Sequence, residues 1–380
     1  MELFCHLYMD ESDRTDQEQF SRIVNNFSVS GDFFNASPCG SGHINDTFLV
    51  SMRDSDQAKF LLQKINARVF QRPDLLMQNL ERICAHLRSK MIQAKKNPDR
   101  HSLTLVSTKE GKNCFVDEAG DIWRLRLYID NVTAVDRVEV PEQAREAGRA
   151  FGEFLRFLVD LPGGPLHEII PSFHDLGLRL KTFQDVIKVD SLGRCVMAGA
   201  EISYVESQAE SVLAIVTAPD TLNMPLRTTH NDTKINNVLL DARTGESVCV
   251  IDLDTVMPGL VIYDFGDCVR TGTNTGDEDD PDLDRVGVDL ELFRTFSEGY
   301  ASEAATVLTS VEREALVSAG VYMSFIIGLR FLTDYLSGDP YFRTDYPGHN
   351  LQRARSQFKM VESFKHKRPE LEKILQGSFG

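Results

Sequence analysis

The feature that most constrains this chain is a short stretch, His230-Asn231-Asp232-Thr233-Lys234-Ile235-Asn236-Asn237, in which polar side chains crowd a segment with neither helical nor strand period. Two runs rich in strand-forming residues follow at once, 238–241 and 247–251, joined through Arg243-Thr244-Gly245-Glu246. Runs of this length about a glycine-containing turn read as a β-hairpin. A hairpin folds back on its own start, so Asp252, directly after the second run, returns beside Asn237. The fold must therefore hold an irregular polar loop in place and bring two oxygen ligands, distant in sequence, together.

On the two sides of this loop the hydrophobic period differs. Residues 33–36, 46–51 and 59–65 alternate or cluster β-forming side chains, separated by Pro38-Cys39-Gly40-Ser41-Gly42-His43 and Arg53-Asp54-Ser55-Asp56. Pro73 and Asp74 suit a helix start, and Leu76, Leu80, Ile83, Leu87 and Met91 then step by three or four along one face. Strand signals at 103–107, 114–117 and 122–129 complete an antiparallel sheet of about five or six strands. From Pro141 the period becomes helical, through Ala144, Ala147, Phe151, Phe154, Leu155 and Leu158, with Gly148 and Gly152 permitting close contact. Helical pattern returns at 201–216, 289–304 and 312–336. Residues 1–30 carry only a weak helical pattern and read as an extension or packing helix. The prediction is an α+β chain of two lobes, a sheet lobe over residues 1–130 and a mainly helical lobe over 131–380, a length ample for two cores.

A net charge of −16, with no basic strip interleaved with aromatics, disfavours nucleic acid and anionic membrane surfaces as partners. Seven scattered cysteines form no zinc or redox spacing and fit reduced thiols in a cytoplasm. The first ten residues lack the basic start of a secretory signal, and no long apolar span is expected. The run Asp277-Glu278-Asp279-Asp280-Pro281-Asp282 reads as a solvated loop without chemistry.

The loop and hairpin do carry chemistry. Asp232 and Asn237 stand five positions apart, the spacing at which an aspartate can take the proton of an attacking hydroxyl while an asparagine holds magnesium. Asp252 supplies a second oxygen ligand, Asp254 a direct or water-mediated third, and Lys234 lies near enough for the transferred phosphate. A nucleotide triphosphate is strongly anionic, so transfer from it needs charge neutralisation, alignment and a proton acceptor. Magnesium keeps several waters and phosphate oxygens, so one amide oxygen and one carboxylate suffice. Taken singly, His230 and Asp232 could cap a turn and Asp252 to Asp254 could end a solvated strand; together the residues point to ATP-dependent phosphoryl transfer.

Those residues, in that order, resemble the aminoglycoside phosphotransferase and choline kinase superfamily, which implies a protein-kinase-like two-lobed fold and a small-molecule acceptor. The segments Gly42-His43-Ile44-Asn45-Asp46-Thr47, Ile251-Asp252-Leu253-Asp254-Thr255-Val256-Met257-Pro258-Gly259, Tyr263-Asp264-Phe265-Gly266-Asp267 and Gly328-Leu329-Arg330-Phe331-Leu332-Thr333-Asp334 are similar to the sugar 1-kinases within it that act on N-acetylhexosamines. This resemblance implies ATP as donor, Mg2+ as cofactor and the anomeric hydroxyl of N-acetylglucosamine or N-acetylgalactosamine as acceptor. It makes Asp232 the base, Asn237 and Asp252 the metal ligands, His230 and Asp264 braces of the loop, and the turn with Gly40 and Gly42 a cover for the phosphates. His43 and Arg330, with Asp334, become the sugar contacts. One departure stands out: where the third strand normally carries a lysine paired with a helix glutamate, here Glu81, this chain has Gln63 followed by Lys64. Adjacent strand residues face opposite sides, so only one of the two meets the phosphates. Two alternatives stay open, another small-molecule kinase of the same superfamily and a nucleotide-binding pseudokinase.

Overall fold

The computed structural model describes residues 11–40, 44–53, 59–219 and 221–380. Two compact units divide the chain, Met1–Asp130 and Asn131–Gly380.

In the N-terminal unit, α1 (Glu11–Val24) precedes β1 (Phe33–Pro38), β2 (Asp46–Met52) and β3 (Lys59–Lys64), then α2 (Pro73–Gln93), α3 (Pro98–His101), β4 (Leu105–Val106), β5 (Phe115–Val116) and β6 (Ile122–Leu127). The antiparallel sheet runs β1-β2-β3-β6-β4, with β5 also on β6. Its apolar face is closed by α1: Phe20, Ile23 and Val24 join Val50, Phe60, Leu62, Trp123 and Leu125 in one core. The Gln17 amide also clasps the edge strand, donating to the Ala36 carbonyl at 2.7 Å and accepting from its N–H at 2.9 Å. That satisfies groups an edge strand would otherwise leave open. The weakly periodic N-terminal stretch is thus a packing helix. On α2, Leu76, Leu80, Ile83, Leu87 and Met91 are all buried, as their spacing requires.

The C-terminal unit comprises β7 (Val132–Thr133), α4 (Pro141–Leu158), α5 (Leu176–Val189), α6 (Gly199–Thr217), β8 (Arg227–Thr229), β9 (Val238–Asp241), β10 (Ser247–Val250), β11 (Met257–Gly259), α7 (Val261–Gly272), α8 (Leu290–Ala304), α9 (Ser310–Ser337), α10 (His349–His366) and α11 (Arg368–Phe379). The hairpin β9–β10 pairs with β7, and β8 pairs with β11. α4 lies against α8 so closely that a Cβ on Gly152 would come 2.7 Å from the Tyr300 carbonyl oxygen, and Gly148 is tighter still. Arg227, opening β8, forms an ion pair at 2.8 Å with Glu312, whose side chain is fully buried, and Glu312 also accepts from the Thr309 N–H at the start of α9. The strand leading into the polar loop is thereby anchored to the longest helix.

Two expectations need correction. α9 is long and apolar enough to cross a membrane by composition, contrary to the absence of such a span expected from sequence, but 78% of that apolar window is buried within the protein, as in a core helix. The acidic run is not simply solvated: Asp280 is 2% exposed, Glu278 pairs with the buried Arg270 at 3.2 Å, and Asp277 meets Arg137 at 3.3 Å. Its charges pin the loop to the helical body. No disulfide joins the cysteines among the described residues.

Candidate active site

The loop between β8 and β9 is held from beneath by one carboxylate. Asp264, in the first turn of α7, accepts from the His230 N–H at 2.8 Å and the Asn231 N–H at 2.7 Å, while its own carbonyl accepts from the Thr233 hydroxyl at 2.6 Å. Burial pushes the Asp264 carboxyl up to about 6, against the pull of these N–H donors. Asn231 turns the chain with a φ of +64° and buries its side chain, which donates to the Thr229 and Thr255 carbonyls at 3.1 and 3.0 Å. Gly259 makes room for it, since a Cβ there would sit 2.8 Å from the Asn231 side-chain oxygen.

His230 braces the other side. Its Nε2 lies 2.9 Å from the Ile251 carbonyl, which can only accept, so Nε2 carries the proton and Nδ1 accepts the Asp232 N–H at 3.3 Å. Phe151 and Phe154 of α4 meet the His230 ring edge-on. His174 adds a further tie, Nε2 donating to the Asn231 carbonyl at 3.0 Å; burial first and Arg330 second push it down to about 3, so it is neutral.

Asp232 emerges from this frame partly open. Burial, the largest single influence, would raise its carboxyl, but the Lys234 ammonium 3.2 Å away, joined by His230 and Arg270, outweighs it and holds the carboxyl below the usual range. Asp232 in turn holds Lys234 above its ordinary value. The Asn237 amide donates to the Asp232 carbonyl at 2.8 Å and to its carboxylate at 3.3 Å, which leaves the Asn237 oxygen for a cation. The hairpin then acts as expected: Val250 pairs with Val238, and the Ile251 N–H reaches the Asn237 carbonyl at 2.9 Å. Asp252 follows immediately, exposed and at a φ of +58°, whereas Asp254, two residues on, is 2% exposed. Among the described residues no three acidic, histidine or cysteine side chains gather into a complete cation cage. One amide oxygen and one open carboxylate suit a hard cation that brings phosphate oxygens and water with it, and do not suit a free-standing metal centre. Asn237 and Asp252 fit such an ion; the buried Asp254 does not present itself to it.

The nucleotide-side candidates belong to the N-terminal unit. Gly40 turns at a φ of +84°, while Gly42 and His43 lie outside the described residues. On the third strand Gln63 stands opposite Thr47 and Arg124, and Lys64 opposite Trp123. Gln63 donates to the Thr47 hydroxyl at 3.0 Å and accepts from Arg124 Nε at 3.1 Å. Lys64 is diverted to Asp121 at 2.5 Å, over the Trp123 ring. Glu81 is exposed on α2 and forms no ion pair among the described residues, so the strand-to-helix pair of the kinase pattern is not made. The cation on the Gln63 face is Arg124, 4% exposed, which sequence reading missed because it lies on a strand distant in sequence.

Of the acceptor candidates, Arg330 on α9 is stacked among Phe173, Tyr341 and Phe342. Asp334, one turn further, gives its oxygens to the Tyr341 and Phe342 N–H groups at 3.0 and 2.9 Å and to the Asn350 amide at 3.0 Å. It builds the loop after α9, so its assignment as a sugar contact is withdrawn.

A sequence profile described as "Phosphotransferase enzyme family" matches residues 35–302, well over half of the chain. The chain belongs to that family. Among solved structures, this phosphotransferase resembles an aminoglycoside phosphotransferase from Alicyclobacillus acidocaldarius at a TM-score of 0.59 and 11% identity, covering 94% of this chain and 96% of that one. It also resembles a choline kinase from Cryptosporidium parvum at 0.58 and 13%, covering 95% and 97%. An amicoumacin kinase solved with AMP-PNP and Ca2+ matches at 0.55 and 12%, covering 92% and 96%. At such identities the likeness is one of fold: the antiparallel sheet and the helical C-terminal unit are kinase-like.

Proposed function

We propose that the protein transfers the terminal phosphoryl group of ATP to the anomeric hydroxyl of an N-acetylhexosamine. The observation that carries the transfer chemistry is the convergence at the hairpin: Asp232 partly exposed in a loop whose other polar groups are tied down, with the Asn237 oxygen and Asp252 brought together by the β9–β10 register. Asp232 orients the acceptor hydroxyl and takes its proton; its low proton affinity keeps it ionised, and position rather than basicity makes it effective. Lys234 shields that carboxylate and faces the incoming negative charge. Asn237 and Asp252 hold the nucleotide's Mg2+, which when bound neutralises phosphate charge. Gln63, held between Thr47 and Arg124, stands in for the strand lysine. Arg330 contacts the sugar, its planar donors matched to hydroxyl and amide oxygens; His43 is a second contact. The sugar assignment rests on Arg330 together with the sequence similarity, and it is tested by ADP release with ATP, Mg2+ and a panel of N-acetylhexosamines, hexoses, amino alcohols and aminoglycosides. Turnover confined to N-acetylhexosamines is expected; preference for an amino alcohol or aminoglycoside overturns the reading.

A further inference from the structure

Beside the catalytic loop lies a cationic corner, Arg179 and Arg330, that forms no ion pair among the described residues; Asp175 near Arg179, and Asp232 and Asp267 near Arg330, act on it only at longer range. The Arg330 guanidinium is centred 4.9 Å from the Phe173 ring, 5.4 Å from Phe342 and 5.7 Å from Tyr341. Among the described residues no carboxylate pairs with it, because Asp334, the nearest on its own helix face, is committed to the loop at Tyr341 and Phe342. Arg179 of α5 enters the same corner, donating Nη2 to the Phe173 carbonyl at 3.0 Å, and its Nε is buried without a partner. The corner is joined to the catalytic loop through Phe173's neighbour His174, bonded to the Asn231 carbonyl next to Asp232. Asp232, the nearby carboxylate, is already matched by Lys234. Both arginines feel the crowding: Arg179 is pushed down to about 10 by burial and then by Arg330, and Arg330 is lowered chiefly by burial.

We propose that Arg179 and Arg330 select the acceptor by charge, admitting neutral or anionic hydroxyl compounds and rejecting cationic ones. This rests on the acceptor corner assigned above and names the class of molecule it takes. An ammonium is ordinarily held by aromatic faces or carboxylates. Here the aromatic faces are covered by Arg330 itself. At about 6 to 8 Å and an effective dielectric near 20, each of the two guanidiniums disfavours a further positive charge by about thirty- to a hundredfold. Hydroxyl and amide oxygens accept from the unfilled guanidinium donors, and a carboxylate accepts more strongly.

The test is kcat/KM at about pH 6, where alkyl amines are protonated, for glucose against glucosamine, N-acetylglucosamine and glucuronate, and for choline against its carbon isostere 3,3-dimethylbutan-1-ol. Glucose is expected to exceed glucosamine by at least about tenfold, and choline to fall below its isostere. Arg179→Gln should shrink the neutral-to-cationic ratio while Arg179→Lys preserves it; a purely structural Arg179 would lower all acceptors together and leave the ratio fixed. Equal or better use of the cationic member of either pair by the wild-type protein overturns the inference. The two readings fail separately: turnover of the alcohol but of no hexose removes the sugar and keeps the charge rule, whereas hexose turnover regardless of charge does the reverse. Silence of every neutral acceptor overturns both.

Discussion

Two neighbouring parts of the C-terminal unit treat their polar groups in opposite ways. In the loop from Thr229 to Asn237, backbone donors and side chains are met by Asp264, His230, Asn231, Thr255 and the hairpin, mostly within 3.3 Å. In the corner formed by Phe173, Arg179 and Arg330, two guanidinium groups are buried in part, that of Arg330 among aromatic rings and that of Arg179 with its Nε unpartnered. A satisfied network fixes geometry before any ligand arrives, which suits a group that must meet a reacting hydroxyl at a set distance. An unsatisfied one is costly by itself and is repaired by a ligand, which suits recognition. On the proposed reading, the first region holds the residues that set the rate and the second those that set the acceptor.

The largest effect should come from the one acid that the satisfied loop leaves partly open. Asp232→Asn is expected to lower kcat by about 10² to 10⁴ while leaving Mg2+-dependent ATP binding near wild type; a variant retaining over half of wild-type kcat removes Asp232 from the chemistry. Asp264→Ala attacks the frame. It strips the acceptor from two buried N–H groups, at a cost of about 1 to 3 kcal/mol for each group left unsatisfied. Thermal denaturation should register the loss, and an unchanged melting temperature would mean that the loop does not depend on this carboxylate.

Asp264 also gives the comparison a pH signature. Its folded pKa of about 6 lies above the ordinary carboxyl value, so as pH falls through 6 the folded protein takes up a proton that the unfolded chain does not yet bind. This group therefore adds folding stability on acidification towards pH 4, and withdraws it as pH rises through 6. Protonation weakens its hold on the His230 and Asn231 N–H groups, so kcat should fall below about pH 6 without a parallel loss of fold. Circular dichroism recorded alongside the rate profile checks this, and rates flat to pH 5 contradict it.

In the unsatisfied corner the expected effects are smaller. Arg330→Ala should lower kcat/KM for an N-acetylhexosamine by about one to two decades with the fold and ATP affinity retained. A variant that is folded with unchanged sugar kinetics places the acceptor elsewhere. Smallest is the effect at the third strand, where Gln63→Ala should raise KM for ATP severalfold and more than Lys64→Ala, because Lys64 is turned to Asp121. The reverse order would show that Lys64 leaves Asp121 for the phosphates.

The same contrast explains what could be read from sequence. The loop and hairpin are local: Asp232, Asn237 and Asp252 are ordered by a turn and a register within about two dozen residues, so spacing alone predicts their meeting. The strands of the N-terminal sheet and the burial pattern of α2 were legible for the same reason. The cationic corner is not local. Phe173 with Arg179, and Arg330 with Tyr341, come from two segments far apart in sequence, each unremarkable by itself, and neither Arg179 nor Arg124 carries any sequence signal. α7 was missed because its glycine and aspartates have poor helix propensity; packing overrides it, with Gly266 pressed against the Ala319 carbonyl of α9. Asp334 entered as a sugar contact through the resemblance alone; that its carboxylate accepts from the Tyr341 and Phe342 N–H groups and the Asn350 amide depends on the loop after α9, which its position in the sequence does not signal.

The central claim is that the satisfied loop delivers phosphate to a hydroxyl chosen by the arginine corner. Phosphorus NMR of the product formed from ATP, Mg2+ and N-acetylglucosamine or N-acetylgalactosamine tests it most directly. The account predicts a sugar phosphate whose phosphorus couples to the anomeric proton, formed by the wild-type protein and almost absent with Asp232→Asn. A phosphate on another hydroxyl, or equal product from both proteins, would contradict it.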